Sequence, residues 1–79
     1  MTAKQIDHLV KMAEQIALNL GAGRDDRAAA ERSADHILRF WTPAMRHQLQ
    51  EFRHAGGEVS AVVAAALQRL EQEQSEGVN

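Results

Sequence analysis

An all-α fold, a compact bundle of about four short helices, is what this sequence predicts, and three observations carry that expectation. Apolar residues recur at helical spacing in separate segments, glycine pairs and a single proline punctuate those segments, and no stretch alternates as a strand would. At 79 residues the chain is one domain. A chain of this size buries only roughly 60% of the surface that its unfolded form exposes, so its core is thin.

In the first segment Ile6, Leu9, Val10, Ala13, Ile16, Ala17 and Leu20 form one stripe at i, i+3, i+4, i+7. This predicts a helix over about residues 3–20, opened by a Thr2–Gln5 capping box and closed by Gly21 at the C′ position. Asp25 or Asp26 can cap the second helix. It runs to about Phe40, with Ala30, Ala34, Ile37, Leu38 and Trp41 on one side. Pro43 disfavours helical geometry at Thr42 but suits the first position of a new helix, so Thr42 caps a third helix ending near His54. Met45, Leu49 and Phe52 face inward on it. Gly56-Gly57 ends it, and Ser60 caps a fourth helix over about 61–73, with Val62, Val63, Ala66, Leu67 and Leu70 inward and Val59 packing just before. The domain is expected over residues 1–74, with 75–79 a disordered polar tail.

Composition excludes several classes of function. There is no cysteine, which removes disulfides, thiolate zinc sites and iron–sulfur ligation together. No apolar run approaches the roughly 18 residues needed to span a bilayer. The first twenty residues carry Asp7 and Glu14 and read as an amphipathic helix rather than a signal peptide, so a cytoplasmic protein without membrane contact is expected. Net charge is −2, and the whole molecule is no attractor of polyanions.

No catalytic or metal-binding set stands out. No two histidines lie three or four apart; His47 and His54 are seven apart and two turns separate them. Ser33, Ser60 and Ser75 fall in a helix, a cap and a tail, without the strained turn of a nucleophile elbow. Arg39, Arg46 and Arg53 with His36, His47 and His54 make one region locally basic. A small helical DNA-binding regulator, with the third helix in the major groove, is therefore the alternative reading. A protein-binding face suits the mildly acidic whole better. The most informative pair is Phe40-Trp41: two of the chain's three aromatics are adjacent at a corner, and both cannot enter one thin core. Tryptophan and arginine dominate binding hot spots. The candidate partner-binding residues are accordingly His36, Arg39, Phe40, Trp41, Met45 and Arg46, with Trp41 or Phe40 as apolar anchor. The competing role for Trp41 is to plug the end of the bundle.

HLVKMAEQIA at His8–Ala17, HILRFWTPAMRHQL at His36–Leu49, AGGEVS at Ala55–Ser60 and AAAL at Ala64–Leu67 together resemble the delta subunits of NAD-dependent formate dehydrogenases. The resemblance covers about residues 5–70, and the FWxPxMR segment is its distinctive part. Ala44 stands where the family often carries a charge, and Ala61 where it often has proline; alanine favours helix at both sites. The resemblance implies a non-catalytic accessory subunit or assembly factor beside a soluble NAD-reducing formate dehydrogenase, and the alpha subunit or its assembly complex as partner. That host would carry a molybdenum or tungsten pterin, iron–sulfur clusters, flavin and NAD, with no centre in this chain.

Overall fold

The structure, a computed structural model, describes residues 3–77, with side chains described over 5–72. Four helices follow one another: α1 (Ala3–Gly21), α2 (Asp26–Phe40), α3 (Pro43–His54) and α4 (Ala61–Gly77). The apolar stripe of α1 buries Leu9, Ala13 and Ala17. Thr2, half of the expected capping box, lies outside the described residues. The α1–α2 turn differs from expectation at its glycines. Gly21 is still helical, and the left-handed backbone falls at Gly23 (φ 75°). Gly21 has a different reason to be glycine: a Cβ there would lie 2.8 Å from the Cβ of Ala29, so its absence lets α1 and α2 close on one another.

The three remaining helix starts follow the sequence closely, because capping is local chemistry. Asp25 Oδ1 accepts from the Ala28 N–H at 2.8 Å, Thr42 Oγ1 from Met45 N–H at 3.2 Å, and Ser60 Oγ from Val63 N–H at 3.2 Å. The end of α3 is a Schellman motif. The Gly57 N–H bonds the Phe52 carbonyl and the Gly56 N–H bonds that of Arg53, with Gly56 at φ 99°. Gly57 packs its bare backbone on the Phe52 ring, leaving no space for a side chain. The last helix continues to Gly77, past the end expected near residue 73 and through part of the stretch expected as a disordered tail.

α2 is the central helix and packs most extensively on α4 and α1, while α3 leans on α1. Its buried face is made of Ala29, Ala30, Ser33, Ala34 and Ile37. Apart from Ile37, these side chains are small; they bring the neighbouring backbones close but bury little area each. The bulk of the core comes from Leu9, Leu49, Val63, Leu67, Leu70 and Trp41. Leu38, expected on the inward side, is 43% exposed. It directly follows Ile37, and a 100° step per residue carries it off the narrow stripe that two flanking helices cover. Polar links tie the ends of the bundle together. The Glu14 carboxylate accepts the Ser60 N–H at 2.8 Å, setting an acidic group at the N-terminus of α4 where the helix dipole favours it. Glu71 of α4 meets His54 at 3.0 Å and Arg53 at 3.7 Å, holding the end of α3.

Two stability predictions follow from this packing. Trp41→Ala removes a buried side chain and should cost about 3–5 kcal/mol, whereas Phe40→Ala next to it should stay within about 0.5 kcal/mol. Urea unfolding followed by circular dichroism checks both, and equal losses at the two positions would contradict this arrangement. Gly21→Ala pits a gain in helix propensity of at most about 1 kcal/mol against an overpacking cost of about 1–3 kcal/mol. The clash should win, and the same titration should show a net loss of stability.

Candidate protein-binding corner

Two residues, Trp41 and Thr42, link α2 to α3. Phe40 ends α2, and Trp41 leaves the helix with extended geometry (φ −90°, ψ 146°) while its N–H still bonds the Ile37 carbonyl at 2.9 Å. Thr42 is also extended (φ −70°, ψ 156°), and Pro43 occupies the first position of α3. Reversing direction within two residues sends consecutive aromatic side chains opposite ways. Trp41 turns into the core and is 6% exposed; Phe40 stays outside and is 70% exposed.

This divides the six candidate residues into two groups. His36, Arg39 and Phe40 share the outer face of α2. The His36 and Phe40 rings lie 4.7 Å apart at 43°, which limits the freedom of the exposed ring, and Arg39 Nε sits 3.3 Å from the Asp35 carboxylate. Trp41, Met45 and Arg46 belong to the inner side. Trp41 is part of the hydrophobic cluster and cannot serve as the projecting anchor suggested for it; it is the plug of the bundle end. Met45 is half-buried against that same cluster. Arg46 is half-buried too, and its Nε is enclosed without a hydrogen-bond partner among the described residues. The corner's outward chemistry therefore rests on Phe40, His36 and Arg39.

Sequence reasoning missed what surrounds Phe40. Its ring stands between two clefts. One, of about 420 Å³, runs along α2 past Arg32, Asp35 and Arg39 to Leu20. The other, of about 310 Å³, lies between the helices, with Met12, Gln15, Ile16 and Asn19 of α1 facing His36 and Phe40. The signal was present in the spacing: 12, 16 and 20 on α1 and 32, 36 and 40 on α2 each repeat every four residues. Which two helices lie side by side is a tertiary fact that spacing does not contain. A third cleft, around Leu18 near the C-terminal end of α1, includes Ala17, Gly21, Ala22 and Ala29 in its lining.

The basic residues of α3 do not form a free face. His47 lies 3.4 Å from Glu51, Arg53 and His54 reach Glu71, and Arg46 is partly enclosed. A recognition helix for DNA would present these cations to phosphates. Among the described residues, no group of three histidine, aspartate or glutamate side chains gathers as a metal site. No helix among the described residues is long and apolar enough to cross a membrane.

No curated protein and no solved structure is significantly similar to this chain. One family model matches it, that of the NADH-dependent formate dehydrogenase delta subunit FdsD, over residues 8–67. The match spans α1 from its second turn, the whole α2–α3 corner and the first half of α4. It includes both the core-forming Trp41 and the exposed Phe40, so the corner lies within the matched stretch. The chain belongs to the formate dehydrogenase delta subunit family.

Proposed function

We infer that this chain is a non-catalytic accessory subunit or assembly factor of a soluble, cytoplasmic NAD-reducing formate dehydrogenase, acting through protein–protein binding. The observation that carries this reading is Phe40, a large apolar side chain left 70% exposed at a rigid corner inside the family-matched stretch. An exposed aromatic that contributes little to its own fold is available to another protein's surface. The partner in this reading is the alpha subunit of the dehydrogenase, or an assembly complex containing it.

In the same reading the redox groups of the host (a molybdenum or tungsten pterin, iron–sulfur clusters, flavin and NAD) are held by other subunits. The absence of any cysteine supports that for the clusters, because thiolates are their usual ligands. The chain's contribution is to bind and stabilise a host surface during or after cofactor insertion. Mass action makes this effective: a subunit that binds the folded form and not the unfolded form adds stability in proportion to the logarithm of its concentration over Kd.

A strain lacking this chain should yield less active formate dehydrogenase, with turnover per bound molybdenum or tungsten unchanged. Metal analysis and formate-dependent NAD reduction on enzyme from deletion and parent strains measure the two quantities. A fully metal-loaded enzyme with reduced turnover, restored on adding the purified chain, would instead assign this chain a part in the catalytic cycle.

A further inference from the structure

We propose that the groove between α1 and α2, crossed by Phe40, is the docking site for a short amphipathic helix of the partner, apolar along one face and carrying a carboxylate that pairs with Arg32. This deepens the binding role above and rests on it. The two clefts on either side of Phe40 share His36 and Phe40 in their lining. Their walls are Met12, Ile16 and Leu20 from α1 and Arg32, His36 and Phe40 from α2. From Met12 to Leu20 the groove is about 12 Å long at 1.5 Å rise per residue, which is two turns of a helix. Adjacent clefts along two helices, with a four-residue repeat on each wall, suit a third helix received through apolar side chains at i and i+4.

Charge selects the occupant. Of the two carboxylates on the rim, Asp35 is held by Arg39 at 3.3 Å, and Glu31 lies 4.0 Å from Arg27 and 3.9 Å from Arg69. Arg32 has no carboxylate within ion-pair distance among the described residues. The groove thus presents one uncompensated cation at the end opposite Phe40. An incoming carboxylate there gains a charged hydrogen bond with planar geometry, while a lysine or arginine at that place is repelled. The exposed amides Gln15 and Asn19 border the same floor and tolerate either polarity.

A second copy of this chain is a poor occupant. Its exposed large apolar side chains among the described residues are Leu18, Leu38 and Phe40. Leu18 is alone on α1, and Leu38 and Phe40, two apart on α2, point in different directions. Among the described residues, these exposed side chains include no pair at i, i+4 to fill the groove. A different polypeptide can.

The test uses full-length chain and formate dehydrogenase prepared from a strain lacking it, with binding followed by calorimetry. Phe40→Ala should weaken binding about 10- to 100-fold, the range of a central hot-spot side chain. Arg32→Glu should weaken it about tenfold or more, Arg32→Lys less, and raising the salt concentration should weaken the parent chain more than Arg32→Ala. Circular dichroism should show all four variants folded, since both side chains are exposed. A photo-crosslinking residue at position 19 should mark a helical, acidic segment of the dehydrogenase. Parent-like binding by Phe40→Ala and Arg32→Glu, with loss of binding in Leu18→Glu, would overturn the groove and leave the accessory role standing. Crosslinks to a second copy of this chain, or to a non-helical segment, would also overturn it. Failure of the parent chain to bind at all removes the accessory role and the groove with it.

Discussion

The close approach of α1 and α4 to α2 is the constraint on which the rest of this structure depends. It is made possible by side chains that are nearly absent: Gly21 against Ala29, and the Ala30, Ser33, Ala34 face of α2. Small residues alone would leave a weak core, because alanine removes little apolar area from water. The fold answers by gathering its large side chains beyond the alanine zone, where Leu49, Leu67, Leu70 and Trp41 fill the wider space. At the α2–α3 corner, the two-residue link Trp41-Thr42 leads into α3, whose Leu49 is buried in the same cluster as Trp41.

The features legible in the sequence are those set by local chemistry. Thr42 and Ser60 cap the helices the sequence assigns to them, and of the two candidates Asp25 and Asp26 it is Asp25 that caps α2, because a side chain two or three residues from a backbone N–H needs no tertiary information to reach it; Gly56-Gly57 closes α3 by equally local backbone bonds. The exposure of Leu38 and the steric role of Gly21 are not local. Both turn on where a neighbouring helix lies, which for Leu38 decides burial and for Gly21 replaces a conformational reason by a steric one. The binding corner was half legible. That one aromatic enters the core and the other does not follows from their adjacency; that the tryptophan enters follows only from the extended geometry of Trp41 and the cavity it meets.

The same division explains why the arginines were harder to read than the aromatics. Arg39 and Arg46 belong to the distinctive segment, yet Arg39 already has a carboxylate and Arg46 is drawn toward the interior. Arg32, two turns upstream of Arg39, has no carboxylate partner among the described residues and is exposed. An arginine's availability depends on which carboxylates its neighbours have claimed, and on a helical surface those claims are settled by three- and four-residue spacing across two helices at once.

The adjacency of Trp41 and Phe40 also separates two kinds of selection along the chain. A change at position 41 is judged by this protein's own folding, whatever partner it meets. A change at position 40 leaves the fold nearly untouched and, in the proposed binding role, is judged by the partner surface. The corner can therefore follow an evolving partner one residue at a time, with the scaffold held fixed by the residue next door.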